Sequence, residues 1–79
     1  MMNRVERRRA ILSASVTRLM EAKRMSFHDL ARATGLSTTG LYKIVDRQSD
    51  PTLGTLWKIA DYFGVTLDAL CAEPNEGLR

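Results

Sequence analysis

Apolar residues recur along this chain at the spacing of helices, and polar residues or glycines interrupt them at short intervals. Residues 4–24 contain no glycine or proline, and their main apolar positions follow steps of four, three and one residue. Such steps place the apolar side chains on one side of a single long helix whose other side is rich in arginine. That apolar side comprises Leu12, Val16, Leu19 and Met20. Because no segment alternates apolar and polar residues, the pattern predicts an all-α protein.

Hydrogen-bonding caps and glycine stops divide the rest of the chain into four shorter helices. Ser26, followed three residues later by Asp29, is a short form of the capping box. It predicts a second helix from Phe27 to Thr34, with Gly35 as its stop. The remaining signals predict a third helix from Thr38 to about Asp46 after Ser37, a fourth between Thr52 and Gly64, and a short fifth through Leu70 and Cys71.

Together these helices are expected to form one compact five-helix bundle. Residues 1–73 form the expected domain, and residues 74–79 form a polar tail. Cys71 is expected to be a small buried hydrophobic residue, and Trp57 is expected to be half-buried or to lie at an interface. The residues expected in the interior are Leu30, Ala31, Leu36, Leu41, Ile44, Leu53, Leu56, Ile59 and Phe63.

The composition argues against an enzyme and against metal binding. The chain has 79 residues, with one cysteine and one histidine, His28, which is expected at the surface. A disulfide within the chain and a zinc site built on cysteine pairs are therefore excluded. With no glycine-rich phosphate loop and no acid–base constellation, we expect no cofactor, no catalytic residue and no small-molecule substrate. No apolar run approaches the roughly 18 residues of a membrane span, so we expect a soluble, cytoplasmic protein.

Positive charge is concentrated towards the N-terminus. The formal net charge is +3, and residues 1–24 hold seven basic and two acidic side chains, whereas the remaining residues hold five basic and seven acidic ones. Such a cluster indicates an anionic partner, nucleic acid in the first place and an acidic membrane surface in the second. A solvated helix face explains the cluster equally well, so other features must decide. The run Arg7-Arg8-Arg9 has no assigned role.

The second and third helices are short and joined by a tight turn at Gly35, which is the spacing of a helix-turn-helix. Around and after this turn the chain reads Met25-Ser26-x-x-Asp29-Leu30-Ala31-x-x-x-Gly35-Leu36-Ser37, then Pro51-Thr52-Leu53 and Phe63-Gly64-Val65-Thr66-Leu67-Asp68. These residues resemble the lambdoid repressor and Cro-like (XRE) family, and the resemblance runs without gaps from Leu12 to Leu70. It implies a lambda-repressor-like fold in which helices 2 and 3 form the helix-turn-helix.

The resemblance also implies a function: a sequence-specific regulator of transcription, a repressor, which binds a palindromic operator in double-stranded DNA as a homodimer. In this family the third helix lies in the major groove. The protein is expected to be either a stand-alone regulator, which the opening Met1 and the polar tail fit, or the N-terminal DNA-binding part of something longer. Carried over by position, the base or groove contacts are Thr38, Thr39, Gly40 and Lys43. The phosphate contacts are Arg24, Ser37, Tyr42, Arg47, Gln48 and Ser49, and the dimer interface comprises Trp57, Tyr62, Leu67, Leu70 and Cys71.

Some positions depart from the family pattern. The family often has an arginine and a glutamate at the positions of Met20 and Val45. Replacing both charged residues avoids leaving one buried charge without its partner, so we expect these two apolar side chains to touch. Phe27 stands where the family often has a glutamine that bonds a phosphate, and its ring either packs on a sugar or marks an apolar patch for a protein partner. Tyr42 either flanks the groove or packs against helix 2. The alternative function is a protein-interaction module that keeps the fold but has weak DNA readout.

Overall fold

The chain forms five α-helices in the order that the sequence predicts. The computed structural model describes residues 3–72, so the polar tail expected at 74–79 lies outside the described residues. No strand occurs within residues 3–72, which confirms the all-α prediction. The helices are α1 (Arg4–Ala22), α2 (Phe27–Thr34), α3 (Thr38–Val45), α4 (Leu53–Phe63) and α5 (Leu67–Cys71).

Each of the last four helices begins with a hydroxyl cap. Ser26, Ser37, Thr52 and Thr66 each accept a hydrogen bond from the amide three residues later, at 3.0–3.2 Å. At α2 the bond is reciprocal, because the Ser26 amide donates to the Asp29 carboxylate at 3.2 Å. The hydrogen bonds from Ser26 lower the pKa of Asp29. These caps satisfy amides that have no partner within the helix, which is why the helix starts were predictable.

One hydrophobic core draws on all five helices. Its fully buried side chains include Val16 of α1, Leu30 of α2, Leu41 of α3, Ile59 of α4 and Leu70 of α5. The helix α1 packs against α3 and α5, while α2 packs against α3 and α4. A single core of this kind holds α2 and α3 at a fixed angle to the rest of the bundle.

Two predictions about the interior are wrong. Leu53, the first residue of α4, is 54% exposed. Cys71 is exposed as well, at the end of α5. Leu36, Leu56 and Phe63 are only partly buried against the core, whereas the other residues expected inside are buried.

Met20 of α1 and Val45 of α3 both belong to the core region, and the contact expected between them stays a prediction. Met20 is 6% exposed within the core, and Val45 packs against the same hydrophobic cluster. A polar bond supports the junction of α1 with α3, since the Ser13 hydroxyl of α1 donates to the carbonyl of Val45 at 2.5 Å. That carbonyl belongs to the last turn of α3 and has no acceptor role within the helix.

Two buried serines on α1 give a matched test of this account. Ser15 is fully buried, and its hydroxyl has no hydrogen-bond partner within residues 3–72, whereas the hydroxyl of Ser13 bonds α3. We expect Ser15→Ala to raise the free energy of unfolding by about 1 kcal/mol, because it removes an unsatisfied buried hydroxyl. We expect Ser13→Ala to lower it by about the same amount. Urea unfolding of both variants measures this, and destabilisation by Ser15→Ala would contradict the packing described.

Candidate nucleic-acid interface

One glycine and one capping serine set the geometry of the helix-turn-helix. At the end of α2, Gly35 has a φ of 77°, in the left-handed region that glycine adopts at little cost. Two residues later, Ser37 starts α3, and its Oγ accepts a hydrogen bond of 3.0 Å from the Gly40 amide. Between them, Leu36 packs against the core and anchors the turn. The chain therefore reverses from α2 into α3 within three residues, as the sequence predicted.

The helix α3 separates a buried side from an exposed side. Leu41 and Ile44 are 0% and 3% exposed. Thr39 and Lys43 lie four residues apart on the opposite side, and both are exposed. The half-buried Thr38 stands at the helix start. The exposed side thus presents a hydroxyl and an ammonium group, which are donors suited to base edges and phosphates.

Gly40 lies at the edge of this exposed side that faces the loop after α3. Together with Ser37, Ser49 and Thr52 it lines a cleft of about 260 Å³. A Cβ built at position 40 would stand 3.0 Å from the Oγ of Ser37, the atom that caps the helix. A side chain here would therefore make a tight contact with the capping hydroxyl, although the equivalent residues of the other three caps, Asp29, Thr55 and Ala69, each have a Cβ.

Two aromatic rings border the opposite edge of α3. Tyr42 of α3 and Phe27 of α2 have ring centroids 4.3 Å apart and planes tilted by 36°. Tyr42 nonetheless remains 51% exposed, with its outer part beside the polar face of α3. The alternative in which Tyr42 packs against helix 2 is therefore correct. Because Phe27 is half-buried under this contact, it does not form a free apolar patch.

The end of α3 has an arginine where glycine is usual. Arg47 has a φ of 61°, its amide donates to the Ile44 carbonyl at 3.2 Å, and the Gln48 amide donates to the Lys43 carbonyl at 2.8 Å. This pair of bonds is a Schellman motif with Arg47 at its left-handed position. The motif joins the loop directly to the exposed side of α3. Arg47 and Gln48 are exposed, and Ser49 is half-buried.

The end of α1 repeats this arrangement. Arg24 has a φ of 54°, its amide donates to the Glu21 carbonyl at 3.1 Å, and the Met25 amide donates to the Met20 carbonyl at 3.0 Å. The left-handed turn ends α1 at Ala22, two residues before the predicted end. Within residues 3–72, Arg24 and Arg47 are the two non-glycine residues with positive φ. Both are exposed, and both are predicted phosphate contacts.

Sequence reasoning also missed an ion pair between distant parts of the chain. The guanidinium of Arg9 donates from Nε and Nη2 to the two carboxylate oxygens of Asp50, at 2.9 and 3.0 Å. These hydrogen bonds lower the pKa of Asp50 and raise that of Arg9. The pair joins the first half of α1 to the loop between α3 and α4. No local signal reveals it, because 41 positions separate the two residues.

The predicted dimer-interface residues differ in their availability to a partner. Trp57 is 53% exposed, and Tyr62 is 37% exposed with the ammonium of Lys23 5.3 Å from its ring centroid. Leu67 is partly buried against the core. Leu70 is 1% exposed within the monomer, so its prediction as an interface residue is wrong. The exposed Cys71 borders a cavity of about 430 Å³, and desolvation there raises the pKa of its thiol.

The described part of the chain offers little to a membrane or a metal ion. No helix in residues 3–72 is both long enough and apolar enough to cross a membrane. In the same range, no three potential metal ligands among His, Cys, Asp and Glu gather at one place. His28 is exposed, as expected.

Comparison with known proteins identifies the family of this chain. Residues 16–73 match the model of the Cro/C1-type HTH DNA-binding domain. The chain is 36% identical over 64 residues to the HTH-type transcriptional regulator SutR of Escherichia coli strain K12, a match covering 81% of this chain. It spans 36% of the length of that relative.

Solved structures agree with the fold. A hypothetical transcription factor, NHTF, from Neisseria has a TM-score of 0.86 and 26% identity, and the match covers 99% of this chain and 90% of that one. A transcriptional regulator of the HTH_3 family from Vibrio cholerae has a TM-score of 0.77 and 27% identity, and the match covers 84% of this chain and 37% of that one. The family is one of DNA-binding domains and not of enzymes. The helix-turn-helix of this chain, its ordered caps and these matches show that the chain belongs to the Cro/C1-type helix-turn-helix DNA-binding family.

Proposed function

We propose that this protein represses transcription by binding a palindromic operator as a homodimer, with α3 of each subunit in the major groove. Thr39 and Lys43 meet base edges or groove-facing phosphates, with Thr38 and Gly40 at the margins of the contact. Arg24, Arg47 and Gln48 bind the phosphate backbone. The exposed Ser37 and Tyr42 and the half-buried Ser49 lie beside it. The cytoplasmic location expected from the sequence stays a prediction.

The observation that supports this proposal most directly is the pair of left-handed arginines. Left-handed backbone costs a residue with a Cβ roughly 1–2 kcal/mol, and glycine avoids most of that cost. The chain uses glycine at the ends of α2 and α4, where Gly35 and Gly64 have φ values of 77° and 69°. At Arg24 and Arg47 it keeps a long cation instead. Strained positions are found disproportionately at functional sites, and a phosphate is the partner that suits a guanidinium there.

A second subunit is the partner proposed for the exposed apolar residues of α4. Leu53 and Trp57 are four residues apart, and more than half of each side chain is exposed. Tryptophan is enriched at protein interfaces, and Tyr62 of α4 and Cys71 of α5 are exposed as well. Two subunits related by a two-fold axis would present their α3 helices about 34 Å apart, one turn of DNA.

The alternative function is a protein-interaction module. The exposed Leu53 and Trp57 favour it, while Phe27, which was one reason to consider it, is partly buried beneath Tyr42. The α3 face also has no arginine, asparagine or glutamine for bidentate base readout. Specificity on DNA would then depend in part on the shape of the duplex.

Affinity selection of the purified protein on random duplex DNA at moderate salt separates these functions. We expect a palindromic site with half-sites about one turn apart, since a two-fold dimer reads both halves alike. Sedimentation with the selected duplex should show two chains per site. If no sequence is enriched and binding vanishes as the salt concentration rises, only electrostatic attraction remains and the interaction module becomes the better account.

Lys43→Ala tests the readout by α3. Because Lys43 is exposed at the centre of that face, we expect its loss to weaken binding to the selected site by about 1–3 kcal/mol and to relax preference at one base position. Lys58→Ala is the matched control, since Lys58 is an exposed lysine on α4. Equal effects of the two variants in the binding assay would contradict the proposed orientation of α3.

Arg47→Gly tests whether the strained arginine is a phosphate contact. Glycine relieves the left-handed backbone, so we expect the free energy of unfolding to rise by about 1 kcal/mol. Loss of the cation should weaken binding to all duplexes and reduce the slope of affinity against salt by about one. Thermal unfolding and salt titration on one preparation measure both effects, and Arg24→Gly should behave alike. A stabilised variant with an unchanged salt slope would remove Arg47 from the interface.

A further inference from the structure

We propose that the Arg9–Asp50 pair is a positioning device that holds the loop after α3 in the conformation required for DNA binding. The inference rests on the proposed function, because it concerns the loop that carries Arg47 and Gln48. Neither Arg9 nor Asp50 touches DNA in this proposal. Arg9 holds the Asp50 carboxylate by hydrogen bonds, and Asp50 in turn keeps the loop in position.

The loop needs a support beyond its backbone. The hydrogen bonds that end α3 reach as far as the Gln48 amide, and those that begin α4 start at Thr52. Between these points Pro51 has no amide to donate. Asp50 supplies the tie, since both of its carboxylate oxygens accept hydrogen bonds from the Arg9 guanidinium at 2.9 and 3.0 Å. This fork of two hydrogen bonds fixes the orientation of the Asp50 carboxylate as well as its distance from Arg9.

The two partners differ in how firmly they are held. The Arg9 side chain is 29% exposed and lies on the rigid helix α1, whereas that of Asp50 is 63% exposed on the loop. Arg9 and Leu12 of α1 line one cavity with Asp50 and Pro51 of the loop. The helix is therefore the fixed side of the fork, and the loop is the part that it orients. Asp50 lies two residues after Gln48, so a change in the position of Asp50 also changes the position of the proposed phosphate contacts.

Electrostatics alone makes the opposite prediction for Asp50. An exposed carboxylate beside a DNA-binding loop repels phosphates, so its neutralisation should strengthen binding. If Asp50 positions the loop, Asp50→Asn should weaken binding instead. Arg9→Lys is equally informative, because it keeps the charge and removes the fork. The direction of the Asp50→Asn effect therefore separates positioning from simple charge repulsion.

The experiment measures binding to a fluorescent mixed-sequence duplex by anisotropy at low salt, with thermal unfolding of each variant as a check of folding. We expect Arg9→Lys and Asp50→Asn each to weaken binding about fivefold, a typical size for coupling between contacting groups. Arg18→Lys, at an exposed arginine further along α1, is the control and should leave affinity unchanged. In an Arg47→Ala, Gln48→Ala background, neither variant should weaken binding further, because the groups being positioned are gone.

Each other result overturns the inference in a recognisable way. Tighter or unchanged binding by Asp50→Asn, with normal binding by the wild type, leaves the proposed function intact and reduces Asp50 to a local charge. Weakening that persists in the Arg47→Ala, Gln48→Ala background shows an effect that does not pass through the loop. Failure of the wild type to bind any duplex overturns the proposed function itself, and the positioning role with it.

Discussion

An eight-residue helix is too short to persist in water by itself, so everything proposed for α3 depends on the burial of its inner side. Leu41 and Ile44 carry that burial, and they leave the opposite side free to be polar. The ends of the helix are fixed from two other directions, by the Ser37 hydroxyl at its start and by the Ser13 hydroxyl at its last carbonyls. The backbone of α3 is thus held without using Thr39 or Lys43, which remain available to a ligand.

The sequence predicted the features that depend on residues close together in the chain. A capping hydroxyl acts on an amide three positions away, so Ser26, Ser37, Thr52 and Thr66 marked the starts of their helices correctly. The left-handed helix ends were predicted only where a glycine occupies the left-handed position, at Gly35 and Gly64. At Arg24 and Arg47 the same turn occurs with an arginine at the left-handed position, and the residue type gives no sign of it.

Tertiary contacts and helix margins were harder to predict. Helical spacing assigns a residue to a side of its helix, but it does not say how far the neighbouring helices extend to cover that side. Leu53 lies in the first turn, on the apolar side of α4, and is still exposed. The fork between Arg9 and Asp50 joins residues 41 positions apart, and it depends on how α1 lies against the loop. Its consequence for the site could come only from the structure.

Where α1 meets α3, Met20 is buried in the core, Val45 packs against that core, and Ser13 donates one neutral hydrogen bond to the Val45 carbonyl. Salt screens interactions between charges but leaves this kind of packing in place. The affinity for phosphates, by contrast, falls steeply as counterions compete. Ionic strength therefore acts on the complex with DNA and on the exposed Arg9–Asp50 pair, and much less on the packing behind α3. The protein can be released from a duplex by salt while still folded, and it can rebind on dilution with α3 already in place.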